Sequence, residues 1–228
     1  MVEVHFFGHS FFKIGFKNAN VLIDPFIYNT NSDPAFKRLV DCPVKLNDLK
    51  DIALILVSHE HFDHFDKKAI EFIAKRDNAL VGATQNILNE LNLPRNLMVP
   101  LEGNQVKQLR GIQVEVIPTH HHHSFYPLGF VLSQNGKSIL HPGDTTLISE
   151  FDKIKPDLAL LPIGGTFTMD LVDAVRATKT MKPKYVIPMH YNTFSMIKAD
   201  TREFVQKIKK SILKTKPVVL SPGQKFNF

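Results

Sequence analysis

One cysteine, Cys42, stands in the whole chain of 228 residues. An internal disulfide is thereby excluded, and so is a thiolate metal site, which needs several cysteines. Cys42 lies between Asp41 and Pro43 in a polar, irregular stretch and reads as an inert small residue. No run approaches the ~20 consecutive apolar residues that cross a bilayer. The first residues, Met1 to Phe7, lack the basic-then-apolar layout of a secretion signal, so a cytoplasmic protein without membrane attachment is expected. No linker rich in Gly, Ser or Pro is present, and no repeat or low-complexity stretch beyond His120 to His123. One continuous domain over residues 1–228 is expected, long enough to bury a core.

The formal net charge of +6 invites phosphate-bearing partners. Much of the excess sits in one run, Lys207 to Lys216. Phe204, Ile208 and Ile212 recur there at helical spacing, which puts the lysines on an outer, solvated face. Nucleic-acid binding is therefore disfavoured. The charge still tilts the expectation towards a small, anionic substrate.

Short apolar runs bounded by turn residues dominate the chain. Val4 to Phe7, Phe11 to Phe16 and Val21 to Ile23 read as successive strands, and Ala53 to Val57 as a fully buried one. A helix over Lys67 to Arg76 turns Ile70, Ile73 and Ala74 to one face. Leu80 to Gly82 reads as a strand and Gln85 to Leu91 as a helix. Gln113 to Ile117, Gly129 to Ser133 and Ser138 to Leu140 follow as strands, the last two joined by a hairpin at Asn135-Gly136. Leu158 to Leu161 and Tyr185 to Ile187 are buried strands, separated by a helix that begins near Asp170. Asp200 and Glu203 fit a capping box for a last helix, and Val218 to Leu220 would close the sheet. Strands come early in each half and helices are appended. That order suggests two sheets packed together with helices outside, rather than a doubly wound parallel sheet.

The eleven histidines lie mostly beside turn residues or aspartates, a placement that suits ligands better than core packing. The densest group is His59-Glu60-His61-Phe62-Asp63-His64. A buried strand ends just before it, at Ser58, and a helix begins just after it, near Asp66. The strand fixes position, and the turn lets consecutive side chains converge. Buried together without a cation, such groups would carry a heavy desolvation cost. Neutral imidazoles and carboxylates suit zinc, iron or manganese. Asp144 and His190 also follow strands, at Pro142-Gly143 and after Tyr185 to Met189. An Asx-turn reading of Asp144 is equally good on turn chemistry alone.

His59-x-His61-x-Asp63-His64 resembles the signature of the metallo-β-lactamase superfamily. Gly8-His9-Ser10, Ile23-Asp24-Pro25, Gly143-Asp144-Thr145, Leu160 to Gly165, Phe167-Thr-Met169 and Pro188 to Phe194 are similar to one widespread branch of it. That branch comprises metal-dependent hydrolases related to the ascorbate phosphate lactonases. The resemblance spans nearly the whole chain. It departs at Asp170-Leu171, where the branch usually has a proline.

The resemblance implies a four-layer αββα sandwich, an α+β fold with its metal site at one edge of the two sheets. It implies that His59, His61 and a later histidine hold one metal, that Asp63, His64 and His190 hold a second, and that Asp144 bridges both. The branch usually has Ser after the later histidine, which selects His123 from the run His120 to His123. In an extended segment His121 would share its side, whereas His120 and His122 would not. His9 is expected near the site, as a substrate contact or proton donor or equally as a brace for its loop. Asp24 reads as supporting or structural, and His5 and His141 as structural. Gly164 and Gly165 would let the backbone pass close to the metals.

Two metals ~3.5–4 Å apart ionise a water near neutral pH, and the hydroxide attacks a carbonyl carbon or a phosphorus. Asp63 or a supporting histidine would handle the leaving-group proton. Zinc is the first choice, with manganese and iron open. A phosphoester or lactone is the expected substrate. The flavodiiron branch has a glutamate where His61 stands, so redox chemistry is not implied. A non-catalytic metal-binding or nucleic-acid-binding module on the same fold is the competing reading. Assembly into a homo-oligomer is open, since several relatives of the branch form multimers.

Overall fold

The computed structural model describes residues 1–211 and 214–228. Among them, fourteen strands form two seven-stranded mixed sheets. The first sheet holds β1 (Glu3–Phe6), β2 (Phe12–Gly15), β3 (Asn20–Ile23), β4 (Ile52–Leu56), β5 (Leu80–Ala83), β6 (Met98–Pro100) and β14 (Lys225–Asn227), in the order β14-β1-β2-β3-β4-β5-β6. The second holds β7 (Val106–Leu109), β8 (Ile112–Pro118), β9 (Leu128–Gln134), β10 (Lys137–His141), β11 (Leu158–Pro162), β12 (Tyr185–Met189) and β13 (Lys216–Pro217), in the order β13-β12-β11-β10-β9-β8-β7. Each begins as an antiparallel meander and continues as parallel strands, from β3 to β6 and from β10 to β13.

Period-2 alternation decides which faces meet. Val4, Phe6, Phe12, Ile14, Val21, Ile23, Leu54 and Leu56 of one sheet pack against Ile112, Val114, Val116, Phe130, Leu132, Ile139, Leu158 and Leu160 of the other. The opposite face of each sheet is also apolar and is covered by helices. Helices α1 (Lys67–Asp77) and α2 (Gln85–Glu90) cover the first sheet. Helices α3 (Leu171–Met181) and α4 (Thr201–Lys210) cover the second. The αββα order expected from the sequence is the order observed.

The helix ends follow their caps. Asp66 and Asp170 each accept a hydrogen bond from a backbone N–H three residues on, and α1 and α3 end at left-handed Asn78 and Lys182. At α4, Asp200 accepts from the Arg202 and Glu203 N–H groups, whereas the Glu203 carboxylate pairs with Lys207. The hairpin at Asn135-Gly136 has φ of 51° and 71°, the sign a type I′ turn requires.

Two expectations shift. The strand expected at Val218 to Leu220 lies instead at Lys216–Pro217. Edge strands β6, β7 and β14 add to the expected set. Phe204 and Ile208 form the buried stripe of α4, while Ile212 lies outside the described residues. No described helix is long and apolar enough to cross a membrane.

Candidate metal centre

Parallel strands place their C-terminal ends together, and here both sheets do so at one edge. Asp24 follows β3, Ser58 and His59 follow β4, Asp144 follows β10, and His190 follows β12. The turn His61 to Asp66 closes on itself, with the His64 and Phe65 N–H groups donating to the His61 carbonyl. The Asp66 carboxylate caps α1 and also accepts from the Ile27 and Tyr28 N–H groups, tying the next loop to the same turn.

Two nests of ligand-type atoms result. In the first, His59 Nε2 and His121 Nε2 each lie 3.1 Å from His61 Nδ1. The outer nitrogen of each ring already has a partner. His59 Nδ1 donates to Ser58 Oγ at 2.9 Å, His121 Nδ1 to the Phe167 carbonyl at 3.1 Å, and His61 Nε2 to the His123 carbonyl at 3.3 Å. With the tautomers assigned from those partners, three unprotonated nitrogens face one point. Burial lowers His121 to about 4, against the pull of Asp144, and burial drives His59 well below its usual value.

In the second nest, one potential ligand atom from each of His9, Asp63, His64 and His190 lies within 4.8 Å of the others. His64 Nδ1 donates to Asp24 Oδ2 at 2.8 Å, leaving its Nε2 bare and 3.3 Å from Asp144 Oδ1. His190 Nε2 lies 2.9 Å from Asp144 Oδ2, outside hydrogen-bond geometry. Asp144 Oδ2 is also 3.8 Å from His121 Nε2. One carboxylate thus sits between the two nests.

The electrostatics call for cations. Burial raises Asp144, but His190 and His64 outweigh it and hold the carboxyl well below its ordinary range. Burial likewise pulls His64 down, and Asp144 and Asp24 together lift it well above its usual value. A position that attracts a proton this strongly attracts a metal that can displace it. Among the described residues, the buried His64 Nε2, Asp144 Oδ1 and both His190 nitrogens have no hydrogen-bond partner. Buried polar atoms are rarely left so, and a metal ligand set is one reason for it. The donor set fits divalent metal.

The register at the histidine run is corrected. His121 is buried and points at His61, while His122 and His123 are exposed. His123 adopts φ of 69°, so the segment turns there instead of staying extended, and its carbonyl rather than its ring meets the cluster. His120 bonds Thr146 Oγ1. Of the roles open to His9, its contacts match the brace. It is buried, its Nε2 donates to Asp63 Oδ2 at 3.1 Å, and its carbonyl accepts from the His190 N–H. The cavity over the cluster is lined by Asp63 and not by His9.

The structure brings His59, His61, Asp63, His64, Asp144 and His190 together, as expected. Asp24 supports two of them at once, through Ser58 and through His64. Sequence reasoning passed over Ser58 and Glu60. Glu60 accepts from Ser124 Oγ and the Phe125 N–H, anchoring the histidine loop to the metal-ligand turn. Its position between His59 and His61 was the one available signal. His5 bonds the Gly223 carbonyl, and His141 bridges the Ser10 carbonyl and the Gly143 N–H, both structural tasks.

Gly164 has a reason other than the one expected. A Cβ there would fall 2.2 Å from the His190 carbonyl oxygen, so its bareness lets the segments after the parallel neighbours β11 and β12 approach closely. Gly164→Ala is expected to destabilise the protein by ~1–3 kcal/mol, the usual cost of overpacking. A urea midpoint equal to that of the parent would refute this. The shift should also displace His190, so metal affinity measured on the same sample should fall.

Comparison with known proteins gives matches over most or all of the chain. A family model described as "Beta-lactamase superfamily domain" matches residues 3–190. A UPF0173 metal-dependent hydrolase of Caldivirga maquilingensis is 36% identical, with 96% of this chain and 95% of that protein covered. A protein of the same name from Staphylothermus marinus is 38% identical over the full length of both. Among solved structures, Igni18, a metallo hydrolase from Ignicoccus hospitalis, superposes with a TM-score of 0.83 at 31% identity, covering 100% of this chain and 99% of its own.

Proposed function

This chain belongs to the metallo-β-lactamase superfamily, and from that membership and its convergent cluster we propose a metal-dependent hydrolase with two metal positions acting on a small molecule. His59, His61 and His121 would hold one ion, and Asp63, His64 and His190 the other, with Asp144 shared. Zinc is the ion this histidine-rich set favours, with manganese and iron as alternatives. Ions held there would acidify water to near neutrality and polarise the scissile bond.

The protein's own groups do the rest. Asp63 lines the cavity and would take a proton and return it to the leaving group. His9 acts through Asp63 as a positioning residue, since its N–H fixes one carboxylate oxygen. Asp24 keeps His64 in the tautomer that leaves Nε2 bare, and through Ser58 it does the same for His59. The observation that carries the reading is the convergence of three unprotonated imidazole nitrogens with Asp144 beyond them.

Metal analysis of the purified protein is the test, followed by stripping with a chelator and re-addition of zinc or manganese. Near two equivalents of metal per chain are expected. Hydrolysis of simple esters, lactones or phosphodiesters should vanish on stripping and return on re-addition. Absence of bound metal, with no uptake of added ion, would sink the proposal. Full occupancy without turnover of any of the three classes would favour a binding module on the same fold.

A further inference from the structure

The cavity over the cluster has two halves of unlike chemistry. Its floor is His61, Asp63, His121, Asp144 and His190. Its walls are Phe36, Phe62 and Phe167, with His122 and His123 at the rim. Phe36 comes from a short helical turn in the long loop after β3, Phe62 from the metal-ligand turn, and Phe167 from the loop after β11. Three distant stretches of chain thus deliver phenyl rings to one spot.

The rings support one another. Phe36 meets Phe62 edge-on at 5.3 Å between centroids, and it stacks on Phe167 at 6.5 Å with 28° between planes. Phe194 backs both Phe36 and Phe62. Such a wall prefers planar apolar groups. Among the described residues, neither lysine nor arginine lines the cavity. Many sites that transfer phosphoryl groups add Lys or Arg clamps to their metals. The lysines of α4 that account for much of the net charge are not at this cavity. The volume is about 210 Å³, below the ~300–1,000 Å³ of sites for drug-sized ligands.

Resting on the hydrolase reading above, we propose that the substrate is a small uncharged carboxylic ester carrying an aromatic or similarly planar apolar group. The planar group rests against the wall that Phe36, Phe62 and Phe167 form, and the ester carbonyl lies over the floor. Water adds to the carbonyl carbon, the bond to the leaving oxygen breaks, and that oxygen gains a proton. This revises the anionic substrate expected from net charge alone.

Phenyl acetate and phenyl phosphate share the ring and differ in the charge of the reacting group. Steady-state kinetics on the metal-loaded protein should show the higher kcat/KM for phenyl acetate. Phe36→Ala and Phe167→Ala should each raise its KM by about 10-fold, with kcat and metal content little changed. Phe36→Leu and Phe167→Leu, which keep bulk without the ring face, guard against misfolding and should lie between. A higher kcat/KM for phenyl phosphate would overturn the assignment, and so would an unchanged KM in all four variants. Metal-loaded protein that cleaves neither compound also overturns it. Protein that takes up no metal and is inert instead overturns the underlying hydrolase reading, and metal analysis separates the two failures.

Discussion

Replacing His121 by alanine is expected to lower metal content from near two equivalents towards one and to abolish measurable turnover. His123→Asn is expected to leave metal content at the parent value. Among the described residues, His121 supplies the third nitrogen of the group it forms with His59 and His61. Losing a ligand costs more than losing a group that orients one, and the latter already weakens metal affinity by ~10–100-fold. The His123 side chain is exposed, and the residue meets the cluster through a backbone carbonyl that accepts from His61. Substituting the side chain keeps that carbonyl. Asparagine suits the left-handed backbone there, with φ of 69°. Metal stoichiometry on the two variants, with circular dichroism to verify folding, decides between the two registers. Two equivalents in His121→Ala and one in His123→Asn would reverse the assignment.

The histidine register shows where sequence reasoning stops. An extended strand gives a side-chain parity, and parity does put His121 and His123 on one side. It cannot see that the chain leaves β8 at Pro118 and turns at His123, because turns within a run of identical residues have no local marker. The Glu60 carboxylate that holds this loop comes from a contact 64 residues away in sequence. Edge strands were hard to read for a related reason. β6 and β14 are three residues long and partly exposed, so neither alternation nor a continuous apolar run marks them. The buried elements were legible. β4, β11 and β12 read as unbroken apolar runs because helices cover one face and the other sheet covers the opposite face. The candidate residues after β4, β10 and β12 were legible as a pattern, since three separated strands each end on His or Asp. Net charge gives little guidance on the substrate, because it sums over the whole surface and carries no information on which charges reach a pocket.

Asp24 makes the most demanding test of how the site is supported. It is fully buried, has φ of 48°, and accepts from the Ser58 N–H at 2.7 Å, from Ser58 Oγ at 2.6 Å and from His64 Nδ1 at 2.8 Å. Asp24→Ala would strand these donors, and each buried unmade hydrogen bond costs ~1–3 kcal/mol. A loss of ~3–5 kcal/mol is expected by urea unfolding of metal-free protein, in line with breaking a buried charged network. Asp24→Asn separates packing from proton control. It preserves volume, suits the left-handed backbone and can still accept from the Ser58 N–H. Its amide N–H₂ replaces the oxygen that faces His64 Nδ1, so the imidazole must give up its Nδ1 proton and carry one on Nε2, aimed at Asp144. Asp24→Asn is therefore expected to fold with a smaller stability loss than Asp24→Ala while binding zinc ~10–100-fold more weakly than the parent. A zinc-competition titration against a chromophoric chelator measures the second quantity. Parent-like affinity in Asp24→Asn would mean that the tautomer of His64 is set by the metal itself and not by the carboxylate behind it.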